Sequence, residues 1–102
     1  MKNQVVELVV YKVKKEFVGN FQSDIMPEFR KLVNSFGGLV SYTTFNSLNK
    51  DGMYFDEVIW ESVEHASMAI VKFEQMKKKG EHAELMNWFD EVTFMDHFKK
   101  VS

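Results

Sequence analysis

Residues 37–62 read GGLVSYTTFNSLNKDGMYFDEVIWES, and the fold turns on how this stretch is organised. Leu39 to Leu48 and Met53 to Glu61 are rich in β-branched and aromatic residues, the composition of strands. Between them, Asn49-Lys50-Asp51-Gly52 suits a type I turn closed by a glycine in the left-handed region, the three-residue hairpin loop. Such a loop pairs Asn49 with Met53, and the register then sets Tyr42 opposite Trp60, Thr43 opposite Ile59, Thr44 opposite Val58 and Asn46 opposite Asp56. Odd positions put Thr43, Phe45, Phe55 and Ile59 on one face. Even positions put Tyr42, Tyr54, Val58 and Trp60 on the other. Both faces are apolar, so both need cover.

Working outward, Val5 to Val13 is a first strand, β-branched and too short for an amphipathic helix. Phe17, Phe21, Ile25, Phe29, Val33 and Phe36 then recur mostly every four residues, the stripe of a helix. Pro27 interrupts that stripe. Either Ser23 or Asp24 caps a helix and Pro27 falls in its first turn, or one longer helix starts near Phe17 and kinks at the proline. Both end at Gly37-Gly38. After the hairpin, Ser62 caps a second helix with Ala66, Ala69, Ile70, Phe73 and Met76 as its inner stripe, stopped by Gly80. A short helix from Glu81 to Phe89 and a fourth strand from Glu91 to Phe98 complete the chain.

The order β-α-β-β-α-β is the ferredoxin-like α+β plan with a four-stranded antiparallel sheet. A length of 102 residues makes one domain, residues 1–102, with a single modest core. With no Cys, thiolate metal sites, disulfides and cysteine catalysis are excluded. The apolar runs are too short to span a membrane, and the amino-terminal residues lack a signal-peptide pattern, so a cytoplasmic location is expected. A net charge of −2 argues against a nucleic-acid surface. The aromatic strand signature of RNA-recognition domains is also broken, since Gly52-Met53-Tyr54-Phe55-Asp56-Glu57 lacks its second glycine and carries acids.

Two helices cover only one face of such a sheet. The other face, several hundred Å² of apolar surface by the usual scale of patches, is most simply buried against a second copy. A homodimer is therefore expected, with a set such as Val5, Glu7, Val9, Leu39, Thr43, Phe45 and Ile59 at the interface. The chain also resembles the dimeric α+β-barrel superfamily, in particular its antibiotic-biosynthesis-monooxygenase-like branch. The resemblance rests on the Val-rich first strand, on Gly37-Gly38-Leu39-Val40-Ser41-Tyr42 and on Val58-Ile59-Trp60-Glu61-Ser62. It implies a dimer whose sheets form a barrel, with a pocket between sheet and helices in each subunit. Haem degradation, known in the superfamily, would need an Asn on the first strand, and Val5 to Val13 has none.

The candidate chemistry is aromatic. Tyr42, Trp60 and Trp88 are expected to bind a small apolar or aromatic ligand by stacking and by a phenol hydrogen bond. His82, opening the short helix that would lid the pocket, is the candidate proton acceptor beside Tyr42. His65, His82 and His97 lack metal-ligand spacing, so no metal is expected. Glu7, alone among apolar neighbours, is either a proton acceptor or an ion-pair partner across the two-fold. Together with the resemblance, which implies the reaction class, these features suggest a monooxygenase that needs no cofactor and acts on a small aromatic or quinol-like substrate. The alternative is a non-catalytic small-molecule-binding or interaction domain.

Overall fold

The computed structural model describes residues 3–102. Four strands, β1 (Val5–Val13), β2 (Leu39–Asn46), β3 (Met53–Trp60) and β4 (Phe89–Phe98), form one antiparallel sheet in the order β2-β3-β1-β4. Helices α1 (Met26–Asn34) and α2 (Val63–Lys79) lie on one face, α1 over β2 and α2 over β1 and β3; α3 (Ala83–Met86) is a single turn before β4. This is the α+β ferredoxin-like arrangement expected from the element order.

The helical stripe before the glycines resolves into more than one kind of winding. A 3-10 turn at Lys15–Phe17 is followed by a π-helical turn at Phe21–Ile25, in which the Met26 N–H donates to the Phe21 carbonyl. Pro27 then falls in the first turn of α1, where its missing N–H costs least, and neither Ser23 nor Asp24 caps it. Ser62 does cap α2, its hydroxyl accepting the His65 N–H, and Gly80 ends that helix at φ 72°. The inner stripe of α2 is narrower than its sequence implies: Ala66 and Ala69 are buried, whereas Ile70 is 39% exposed.

The hairpin register differs from the expected one by two residues. Thr44 stands opposite Asp56 and Tyr42 opposite Val58, with Phe45 facing Phe55. Tyr42 and Trp60 are therefore diagonal neighbours, and Asn46 faces Tyr54 instead of Asp56. The cause is Ser47. Its hydroxyl accepts the N–H groups of Asn49 and Lys50, while its own N–H donates to the Met53 carbonyl. A serine turn thus replaces the tight loop, and five residues instead of three form the connection. Because the shift is even, side chains from Ser41 to Asn46 keep their expected faces; an irregularity between Leu39 and Ser41 turns Leu39 to the Trp60 side, where it packs against the core.

Cross-strand partners define rows that run over the whole sheet. On the helix side lie Tyr42–Val58–Glu7–His97, Thr44–Asp56–Val9–Met95 and Asn46–Tyr54–Tyr11–Val92. The opposite side carries Phe45–Phe55–Val10–Phe94, with Phe45 and Phe55 stacked at 4.5 Å. The expected interface set consequently mixes two faces. Val5, Glu7, Val9 and Leu39 point to the helices, whereas Thr43, Phe45 and Ile59 share the open side; an odd position on β1 pairs with an even one on β3, and Leu39 pairs with Trp60.

Two apolar clusters make the core. One joins Val5, Val33, Val58, Trp60, Ala66 and Ala69; the other joins Tyr11, Val13, Phe21, Ile25, Tyr54 and Trp88. Phe21 is 1% exposed and its ring meets those of Tyr54 at 4.8 Å and Trp88 at 5.0 Å. Phe21→Ala is expected to cost ~3–5 kcal/mol, read as a lower midpoint in urea unfolding. Gly38, at φ 80°, leaves no room for a Cβ beside the His65 side chain, so Gly38→Ala is expected to lose at least about 1 kcal/mol in the same measurement.

Candidate functional site

Helices α1 and α2 pack over β2, β1 and β3 and leave β4 largely open. Val92 and Met95 face the helix side yet are 45% and 43% exposed. Into this gap opens a cavity of about 270 Å³, walled by Phe29, Phe36, Phe73, Trp88 and Phe89 among others and floored by the sheet rows described above. A cavity of ~150 Å³ accepts benzene, so this one suits a molecule of one or two rings. Its apolar walls favour a flat, uncharged body.

The polar groups of the floor are few and tightly organised. Asp56 is 5% exposed and accepts three hydrogen bonds, each 2.8 Å long: Tyr11 Oη and Thr44 Oγ1 donate to Oδ1, and Tyr42 Oη donates to Oδ2. Arg30, reaching across from α1, donates to Thr44 Oγ1 at 2.7 Å and stacks 4.9 Å above the Tyr42 ring. Burial pushes the Asp56 carboxyl above its ordinary range, and the hydrogen bonds from Thr44, Tyr11 and Tyr42 work against that shift. Both phenols move upward as well, first by burial and then by the adjacent Asp56 charge. Tyr11 and Tyr42 are thus held as neutral hydrogen-bond donors to Asp56, with their remaining lone pairs available as acceptors.

A second polar group stands in the adjacent row. Glu7 Oε1 accepts the Trp60 Nε1–H at 3.1 Å and lies 3.1 Å from His97 Nε2, the residue directly opposite on β4. Glu7 therefore pairs within its own chain. Among the described residues no group of three or more His, Asp or Glu side chains is placed to hold a metal, and no helix is long and apolar enough to cross a membrane.

Tyr42, Trp60 and Trp88 all line the cavity. Trp88 does so from the connection between α3 and β4 instead of from the short helix, and its buried indole N–H has no acceptor among the described residues. His82 is elsewhere. It is exposed at the start of α3, at φ 54°, and does not line the cavity. Tyr11, Asp56 and the Trp60–Glu7–His97 contact were not singled out together by sequence reasoning. A lone acid at position 56 on the face of Tyr54, Val58 and Trp60 was the available signal.

Solved structures place this architecture. A protein from Bordetella bronchiseptica carrying the family name antibiotic biosynthesis monooxygenase superposes with a TM-score of 0.74, over 98% of this chain and 99% of its own, at 22% identity. The chain has the antibiotic-biosynthesis-monooxygenase-like fold. SnoaB, a cofactor-independent oxygenase from Streptomyces nogalater, shares that fold with a TM-score of 0.68 at 15% identity, over 98% of this chain and 93% of its own. A conserved protein from Methanosarcina mazei does so at 0.71 and 15%, over 98% and 95%. No protein-family model and no curated protein matches the sequence.

The buried cluster has a direct spectroscopic consequence. A tyrosine whose folded pKa lies above its unfolded value adds stability below the unfolded pKa and loses it as pH rises toward the folded one. At about pH 11, where a free phenol of pKa ~10 is mostly ionised, Tyr11 and Tyr42 are expected to stay protonated. Their phenolate absorbance should emerge only with unfolding, and stability should fall as pH climbs above ~10. Tyr42→Phe should remove one phenol from that late absorbance step.

Proposed function

We propose that this protein is a monooxygenase that oxidises a small phenolic or quinol-like molecule without a cofactor, binding it in the cavity between sheet and helices. The observation that carries this reading is the Asp56 cluster: a buried carboxyl, held by Tyr11, Tyr42 and Thr44, in the floor of a mainly aromatic cavity. Such a site orients an electron-rich ring through its hydroxyl groups and keeps water from the oxidised intermediate. In the reaction the substrate is its own reductant. A ring CH₂ activated by a phenol is converted to a carbonyl, one atom of O₂ enters the product, and the other leaves as water. Tyr42, Trp60 and Trp88 are the ring-binding residues in this reading, with Asp56 fixing the Tyr42 hydroxyl. His82 stands too far out to share the work. The oxygenase fold of SnoaB supports the class of chemistry and leaves the substrate open.

The functional unit in this reading is a homodimer. The row Phe45–Phe55–Val10–Phe94 crosses the face away from the helices, and Phe45, Phe55 and Phe94 are 43%, 36% and 46% exposed. A second copy placed on that face buries it and closes the barrel. Sedimentation is expected to give twice the 12.0 kDa chain mass at micromolar concentration, and Phe55→Asp should return the mass to that of one chain. A stable wild-type monomer would refute the dimer.

A non-catalytic ligand-binding domain is the second reading, favoured by the position of His82 outside the cavity and by the complete internal satisfaction of Asp56. Oxygen uptake separates the two. With a panel of anthrone-type phenols, which carry the activated ring CH₂, the wild type is expected to consume O₂, and Asp56→Ala to lower kcat/KM by roughly 100-fold. Tight binding of the panel with no O₂ consumed would establish the second reading.

A further inference from the structure

Two carboxyl groups face the cavity from beneath, and they are differently equipped. Asp56 has both oxygens occupied by donors and is 5% exposed, so a proton delivered to it would displace a hydrogen bond. Glu7 has both donor contacts on Oε1, from Trp60 and His97, and Oε2 has no partner among the described residues. Its side chain is 14% exposed, and that of His97, the next group in the row, is 30% exposed. The row Tyr42–Val58–Glu7–His97 thus leads from the cavity floor toward solvent through one carboxylate and one imidazole. Tyr42 is a poor rival as proton acceptor because it stays neutral beside Asp56, and the Glu7 charge is one of the causes.

We propose that Glu7, oriented by Trp60 and His97, accepts the hydroxyl hydrogen bond of a phenolic ligand in this cavity and takes that proton when the ring is oxidised. This rests on the proposed oxygenase reading only for its second half. In the step, the ligand O–H bond breaks, an O–H bond forms on Glu7 Oε2, and the electron pair stays on the ligand oxygen. The resulting phenolate is the electron-rich form that reduces O₂. Trp60 and His97 are positioning residues: by fixing Oε1 they aim Oε2, at no further cost when the ligand arrives.

The test uses two probes of similar shape, hydroquinone and its dimethyl ether 1,4-dimethoxybenzene, with calorimetric binding to the wild type and to Glu7→Gln. Glutamine keeps the size of the side chain and can still accept from Trp60. A hydrogen bond to a charged acceptor is worth ten-fold or more in affinity. Glu7→Gln is therefore expected to weaken hydroquinone at least ten-fold and the ether by less than two-fold. An equal loss for both probes, no loss for either, or no wild-type binding of hydroquinone overturns the proposal. Should Glu7→Gln fail to fold by circular dichroism, Glu7→Asp, which retains the charge but withdraws it by one methylene, carries the same comparison. In oxygen uptake, Glu7→Gln is expected to lower kcat by ~100-fold, a larger fall than its rise in KM. If hydroquinone shows the selective loss while the wild type consumes no O₂ with any phenol, the oxygenase reading and the proton transfer fall together and the hydroxyl-accepting role of Glu7 stands.

Discussion

Asp56 is the constraint around which the molecule is arranged. A carboxyl group taken out of water costs several kcal/mol unless its oxygens are satisfied, and here three hydroxyls from two neighbouring strands satisfy them. Tyr11 comes from β1, Tyr42 and Thr44 from β2, and Arg30 ties the group to α1. One side chain on β3 therefore specifies the relative position of three strands and a helix. The two apolar clusters of the core lie on either side of it, one around Trp60 and one around Phe21 and Trp88. Apolar burial supplies most of the stabilisation, whereas the buried polar group narrows the arrangements in which that burial can occur.

The cavity follows from the same economy of cover. The helices that shield β2, β3 and β1 do not reach equally over β4, and the space between is lined by rings that have packed against each other instead of filling it. Trp88 illustrates this: its ring lies edge-on to Tyr11 and Phe29 while the indole N–H remains without an acceptor. Unfilled volume and an unsatisfied donor in one place are expensive in a structural core and useful at a binding site.

Most of the fold was legible because it depends on alternation, and alternation survives small errors. Helix α1 ends at Asn34, with Ser35 as its C-cap, ahead of the glycine pair, whereas the element order, the Gly80 stop and the Ser62 cap were readable from residue type and spacing. The hairpin register was not, since the Ser47 hydroxyl competes with the ladder for turn N–H groups and its choice depends on local geometry. The even slip left the faces from Ser41 onward right and their partners wrong, and the irregularity before Ser41 moved Leu39 to the other face. The site was legible to the extent that it is aromatic: Tyr42, Trp60 and Trp88 all line the one cavity. Glu7 stood out as a lone acid on the first strand, but the grouping of Tyr11, Asp56, Glu7 and His97 was hidden because they come from three strands distant in sequence. Their association is a property of the β2-β3-β1-β4 order, and one unpartnered acid per strand does not reveal it. His82 attracted attention as an imidazole at a lid, yet it sits exposed at positive φ before α3 and does not line the cavity.

The two tryptophans are divided between the two apolar clusters, Trp60 in one and Trp88 in the other. Each indole therefore senses a different half of the molecule. Trp60 is tethered to a carboxylate, whereas Trp88 is surrounded by Tyr11, Phe21, Phe29 and Phe89 with ring centres 5.0 to 5.4 Å away. Their emission will differ in colour and in quenching, and a guest molecule entering between them will perturb both unequally. The fold thus carries its own pair of fluorescent reporters, one on each wall of the cavity.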